Sequence, residues 1–379
     1  MSPLPLARRL LPPSAALALA ACPAAAQTSA PAAPPSRPSD LWDLPTLYQN
    51  KANPLVQEIK IRGRYQGQQY WLDSNQGQAS DWENRRSRLG LDATFLDRHL
   101  ELRLDAEHNP EFASAYGSLA DAYLKWKPTD SFSLTLGKQK PQIGYYDWLQ
   151  STNAQPTFER SQIFGQLKVS RATAAVAQGK AASFTWQAGA YSTEMDREFG
   201  SLHGGLAWGA GLGYDAKKAF DLEKADWRID WLHSDPQPGD ALLNRYRDLF
   251  SQTLWLQQDR WGLVAEAFLA LGGAPDAFGL SIQPTYDLIP AKIQLVARGS
   301  LSVGNGPSSL TLTKRYEAAA PHLADSRGSR YHSVYLGLQY FVHGDNLKVL
   351  GGAEWAELQG GTHRDFSSLT LLTGLRFSF

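Results

Sequence analysis

The sequence predicts an all-β chain, a 16-stranded antiparallel transmembrane β-barrel with an inward-folded third long loop. Three observations predict it. From Gln57 onward, apolar and polar residues alternate with a period of two in segment after segment, the pattern of strands with one greasy and one wet face. Short connections alternate with longer ones, as periplasmic turns and external loops do in a barrel that crosses a membrane. The third of the longer connections, 138–165, is rich in aromatics and amides and has no period of two or 3.6. So long a stretch inside an ordered domain is usually functional. We read it as a loop that dips into the lumen and sets its bore.

Composition is compatible with this reading and excludes others. The 37 Lys and Arg balance 37 Asp and Glu, so there is no basic bias for nucleic acid and no acidic tail. Charged residues make up 20% of the chain, which looks soluble, but half of each barrel strand faces water. The single cysteine, Cys22, rules out a disulfide framework and a thiolate metal site. Twelve Trp, fifteen Tyr and fifteen Phe are enough for aromatic girdles at both membrane interfaces.

Residues 1–26 read as an export signal. Arg8 and Arg9 form its positive region, Leu10 to Ala21 its apolar stretch, and Ala24-Ala25-Ala26 a small-residue cleavage site before Gln27. Leu19-Ala20-Ala21-Cys22 can also be read as a lipobox, which would make Cys22 a lipidated first residue. The apolar run is too short for a membrane-spanning helix, and no later segment approaches eighteen apolar residues. Residues 27–56 form a Pro-rich periplasmic lead-in, its first part too poor in apolar residues to bury a core. Trp42, Leu44, Leu47 and Tyr48 within it suggest a short turn or plug segment.

The barrel domain is 57–379, and its strands follow in order. In the first, Ile59, Ile61, Tyr65 and Trp71 alternate with Lys60, Arg62, Arg64, Gln66 and Gln68. In the second, Leu89, Leu91, Ala93 and Phe95 oppose Arg86, Arg88, Asp92 and Thr94. In the third, Leu100, Leu102, Leu104 and Ala106 oppose Glu101, Arg103, Asp105 and Glu107. The next two form a hairpin: Leu124 and Trp126 alternate with Tyr123, Lys125 and Lys127, Pro128-Thr129-Asp130 turns, and Phe132, Leu134 and Leu136 alternate with Ser131, Ser133 and Thr135. Further strands are expected near 166–176, 182–192, 204–215, 224–234, 247–257, 261–271, 278–288, 291–303, 331–342, 346–356 and 367–379. That makes sixteen, an even number as single-chain bacterial barrels require.

Short connections fall at Asp97-Arg98, Pro128-Thr129-Asp130, Gln178-Gly179-Lys180, Asp259, Ile289-Pro290 and His343-Gly344-Asp345, with 216–223 as the exception. The intervening ones are 73–82, 108–118, 138–165, 192–203, 235–246, 304–330 and 357–366, with only 272–277 brief. The last strand ends in Phe379, which resembles the signal that outer-membrane barrels present to the barrel-assembly machinery.

The candidate chemistry lies in the lumen. Lys60, Arg62, Arg64, Arg86 and Arg88 share the inward parity of the first two strands, and Arg103, Lys125 and Lys127 continue it on the next two. Neighbouring strands are about 4.8 Å apart, so such cations form one positive wall. A narrow wet lumen focuses that field and concentrates anions, and Arg grips phosphate or carboxylate in a bidentate fork. The same residues could instead pair with Asp92, Glu101, Asp105 and Glu107 and stiffen the wall. No catalytic motif is found, and the eight His show no metal-ligand spacing. No cofactor or metal is expected.

Arg-Arg-x-Arg-Leu-Gly at 85–90, Asp121-Ala122-Tyr123-Leu124, Gly137-Lys138-Gln139-Lys140-Pro141 and Phe158-Glu159-Arg160-Ser161 occur in this order. Together they resemble the phosphate-selective porin O/P family of outer-membrane channels. The resemblance implies a sixteen-stranded barrel, usually a homotrimer, whose third loop narrows a lumen of phosphate-binding Arg and Lys. Here that loop offers Lys138, Lys140 and Arg160 beside Asp147 and Glu159. The expected function is passive diffusion of small anions across the outer membrane, among its lipids. The alternatives are a general or sugar- and amide-passing porin with little charge selectivity, and, further off, an exporter or barrel-embedded enzyme.

Overall fold

The computed structural model describes residues 41–108, 114–194, 197–201, 203–236, 246–273 and 275–379. The expected signal peptide and the Pro-rich start of the lead-in lie outside the described residues. A short strand β1 (Thr46–Gln49) precedes the barrel, which opens with β2 (Val56–Ser74), β3 (Gly77–Phe95), β4 (Leu100–Glu107), β5 (Ser118–Thr129) and β6 (Phe132–Gln139). After the helical turn α1 (Gln162–Leu167) come β7 (Ala172–Ala181), β8 (Phe184–Ser192) and β9 (Gly205–Asp215). The turn α2 (Lys217–Phe220) leads to β10 (Lys224–Pro236), β11 (Asp248–Gln258), β12 (Trp261–Leu271), β13 (Ala277–Ile289) and β14 (Ile293–Gly304). A small inserted unit of β15 (Leu310–Thr311), α3 (Arg315–Ala318) and β16 (Arg327–Gly328) follows. The chain closes with β17 (Arg330–His343), β18 (Leu347–Gln359) and β19 (Phe366–Ser378).

Each barrel strand pairs antiparallel with its neighbours, and β19 returns to pair with β2. The sixteen strands β2–β14 and β17–β19 form the closed tube that the alternation and the connection lengths predict. Burial along them inverts the soluble rule. On β17–β19 the outward Leu336 and Leu371 are 62% and 52% exposed, while the inward Lys348 and Glu354 are 0% and 1% exposed. Apolar side chains face outward because hydrocarbon, not water, surrounds the wall, and closure leaves no unpaired edge within it.

Three expectations about elements are corrected. The first external connection, expected at 73–82, is a tight turn at Asn75-Gln76, and β2 and β3 each run for 19 residues. Both faces of a strand that rises above the membrane are wet, so Gly77 to Asn84 carry no alternation to read. The strand expected at 166–176 begins only at Ala172, because Ser161 caps α1 and Lys168 ends it in a left-handed conformation. The lead-in around Tyr48 is not a plug: β1 pairs edge-on with β2.

One irregularity re-aims side chains. Gln66 pairs with Arg86 but the next residue, Gly67, pairs with Asn84, so Arg85 is a β-bulge. A bulge shifts side-chain parity by one. Arg85 and Arg86 consequently both reach lumen partners, Glu159 and Gln66.

Candidate functional site: a one-sided constriction

The loop between β6 and β7 crosses the lumen and is pinned to the far wall by side chains of that wall. Ser251 Oγ accepts from Gly144 N at 3.1 Å, and Glu266 accepts from Tyr146 N and Asp147 N at 2.9 and 2.8 Å. Arg298 donates to Thr157 Oγ1 and Glu159 O at 2.9 and 2.7 Å, and Arg376 to Thr152 O and Thr157 O at 2.6 Å each. Backbone carbonyls inside a tube have no strand partner and must be satisfied by something; two guanidiniums do it here. Apolar residues of the loop supply an internal core, in which Trp148 stacks on Phe164 at 5.3 Å and Phe164 packs on Phe268. This is why an aromatic-rich stretch without periodicity can be ordered.

A second inward segment, 305–329, was not foreseen. Gln162 donates to Thr311 O at 2.7 Å and Gln166 to Ser309 O at 3.0 Å, tying it to α1. Lys314 Nζ lies 2.5 Å from Glu354, 3.4 Å from Glu317 and 2.7 Å from the Tyr331 hydroxyl, a buried ion cluster against β17 and β18. The two segments occupy the lumen on the β10–β19 side.

The larger open space runs along β2–β8, and a smaller cavity of about 130 Å³ lies between Tyr146, Ala154 and Pro156 of the loop and β11–β14. A cavity of about 310 Å³ lies between the loop's edge and the β2–β8 wall. Arg62, Arg64, Arg88, Arg103, Lys125, Lys140 and Arg171 line it, against only Asp105 and Asp121. Lys125 and Gln178 also line a wider cavity of about 960 Å³ at the end of the short turns. The two are successive stretches of one path, and the narrow one is strongly positive.

Most of the cations in this wall are paired. Arg62 contacts Asp92 at 3.3 Å and Asp105 at 3.7 Å, and Arg103 holds the same Asp92 at 2.8 Å. Arg88 pairs with Glu107 at 2.7 Å, Arg171 with Asp121 at 2.6 Å, and Lys127 with Glu101. Lys60 lines a side cavity of about 200 Å³ shared with Glu58, Asp92 and Glu101. Like Lys60, four further cations of this wall have no carboxylate within 4 Å among the described residues. Arg64 donates to the Ser151 and Thr152 hydroxyls at 3.1 and 3.2 Å. Arg86 donates to Gln66 Oε1 at 3.1 Å. Lys125 is one of the lining residues of both cavities. Lys140 Nζ reaches the carbonyls of Trp148, Leu149 and Gln150 at 2.5, 3.4 and 3.3 Å. Burial and the nearby Arg160 and Arg171 guanidiniums hold the Lys140 amine well below the usual lysine range.

Of the five residues expected at the constriction, Lys140 alone lines the bore. Lys138 belongs to the outward parity of β6, with Phe132, Leu134 and Leu136; its amine meets Arg197 O at 3.1 Å and Glu198 at 3.8 Å. Asp147 is buried and accepts from Ser161 N at 3.0 Å, bracing the loop. Glu159 receives the Arg85 fork; burial works against its ionisation, but that guanidinium holds the carboxyl down at about 2. Arg160 lies over the Trp148 ring at 4.9 Å and donates to Asp147 O at 2.6 Å. Arg171 and Asp121 join the bore without having been foreseen. Arg171 falls inside the stretch taken for a strand, and Asp121 was read only as part of a motif.

The family "Phosphate-selective porin O and P" matches residues 59–218, the stretch that contains every cation lining the narrow cavity. No curated protein is significantly similar in sequence. Solved structures share the fold at low identity. OprB of Pseudomonas putida aligns with a TM-score of 0.63 at 13% identity, over 85% of this chain and 94% of that one. An anion-selective porin from Comamonas acidovorans gives 0.60 at 12%, over 85% and 99%. OmpT of Vibrio cholerae gives 0.58 at 14%, over 88% and 100%. The chain shares the all-β barrel fold of these porins, and its first half matches the family model.

Proposed function

We propose that this porin conducts small oxyanions of the phosphate type, drawn in by the positive wall and held briefly by Arg64, Lys125 and Lys140. The observation that carries the proposal is that these three cations face the narrow cavity with no carboxylate partner among the described residues, whereas Arg62, Arg88, Arg103 and Arg171 are matched. A paired guanidinium contributes to the field but has its fork occupied; an unpaired one can exchange a neutral hydroxyl for an anion oxygen. Conduction needs such weak, exchangeable holding. The anion-selective porin among the structural neighbours and the family match over 59–218 support the same reading. We also propose that residues 1–26 are removed on export and that three copies assemble, as OmpT of Vibrio cholerae does in its trimer form. Phe379 would engage the assembly machinery.

Single-channel recording in a planar bilayer tests the conduction proposal. Anion-biased reversal potentials and a current reduced by millimolar phosphate are expected. An ohmic current blind to phosphate would favour the general porin instead. Proton dependence offers a further check. Because the Lys140 amine sits well below its ordinary range, raising the pH removes that charge before other lysines titrate. Anion preference should therefore fall as pH rises, and Lys140→Arg, which stays charged, should flatten the profile. A wild-type preference that does not change with pH below the ordinary lysine range would exclude Lys140 as the titrating group.

A further inference from the structure

The barrel seam is the one place where neighbouring strands are not joined by the chain. β19 pairs with β2 from Ser74 down to Arg64, and Gly63 and Phe379 exchange backbone hydrogen bonds of 3.1 Å in both directions. There the last strand ends, while β2 continues to Val56. The rest of that edge is covered from the other end of the barrel domain. Ile61 N donates to Pro45 O at 2.8 Å, and β1 carries on with Thr46 opposite Lys60, Tyr48 opposite Ile59 and Gln49 opposite Glu58. One edge of β2 is thus matched by two pieces of chain laid end to end.

The N-terminal piece also reaches across the seam. Trp42 stacks on His343, the last residue of β17 before the turn to β18, at 4.4 Å and 17°, and lies 5.7 Å from Phe377 of β19. The Phe379 ring lies over Gly63, where any Cβ would come within 2.2 Å of it. Leu44 and Leu47 remain 57% and 60% exposed, as apolar residues on the outside of this wall do. Unpaired backbone groups at a membrane edge are costly, and an open edge invites strand exchange.

We propose that residues 42–49 are a clasp that locks the closed barrel after β19 has paired with β2. It completes the β2 edge below Phe379 and ties it to the β17–β18 turn. The clasp acts on closure and leaves the bore unchanged.

Two variants of the full chain test it, both with Cys22→Ser. The first carries Tyr48→Cys and Ile59→Cys, a directly opposed pair, and is oxidised in the membrane with copper phenanthroline. A disulfide within one chain is expected. It should raise the temperature at which the folded band converts to the unfolded one in detergent electrophoresis, and reduction should reverse the rise. The second, Trp42→Ala with His343→Ala, should lower that temperature while single-channel conductance stays at the wild-type value. Failure to cross-link, or a disulfide joining two chains, would overturn the proposal; so would conversion temperatures that neither variant moves.

Discussion

Replacing Arg64, Lys125 and Lys140 together by glutamine is expected to abolish the anion preference and the phosphate sensitivity of the current while the barrel stays folded. A unit charge about 4 Å from a passing ion is worth ~1 kcal/mol even in a water-like dielectric. That is roughly fivefold in occupancy per charge and on the order of a hundredfold for three. The matched control removes a whole pair, Arg88→Gln with Glu107→Gln. The pair lies 2.7 Å apart, so its deletion leaves the net field unaltered and should leave reversal potential and phosphate block near wild type. Equal loss in both variants would mean that total wall charge, rather than the three unmatched cations, governs passage.

The second large effect is expected at Lys314. Its amine sits among Glu317, Glu354 and the Tyr331 hydroxyl, and Lys314 is only 3% exposed. Lys314→Met would leave the buried Glu317 without a cation beside Glu354, which keeps only Arg298 at 3.6 Å. Breaking a buried ionic group in this way costs about 3–5 kcal/mol. The variant should unfold at lower denaturant in detergent. Its conductance should rise, because the 305–329 segment loses its main tether to β18. Burial and Glu354 already push the Glu317 carboxyl up. Protonation should therefore relieve the variant, and its deficit should be smaller at pH 5 than at pH 8. An unfolding midpoint and conductance equal to wild type would show that the cluster does not hold the segment.

How much of this was legible in the sequence follows from what each residue faces. Where one side meets lipid and the other water, alternation is enforced, and Leu89-Gly-Leu91 or Val334-x-Leu336-x-Leu338 announces its strand. Above the membrane that constraint lapses, which hid the upper half of the β2–β3 hairpin. Inside the tube, packing replaces periodicity. The stretch 138–165 signals an inward loop by its length, its aromatics and amides and its lack of a period, but 305–329 lacks such density and reads only as a longer connection. Parity reads Arg62, Arg64, Arg86, Arg88, Arg103 and Lys125 as inward. It could not say which of them had partners, because Arg88–Glu107 and Arg103–Asp92 are cross-strand pairings fixed by register. Arg85 escaped the parity rule through a bulge that no local signal announced. Arg298 and Arg376 are the single charged residues of β14 and β19, inward by parity, and only the loop's course shows that their task is to hold its carbonyls.

The open path hugs one side of the tube, and every basic group along its narrow part lies between Arg62 and Arg171. Labour is consequently divided along the polypeptide. Residues of the first half line the narrow cavity, and the second half furnishes the buttress against which the partition leans. Drift in the second half would alter robustness and leave the permeant unchanged. Grafting 56–192 onto another sixteen-stranded scaffold should carry the filter along with it.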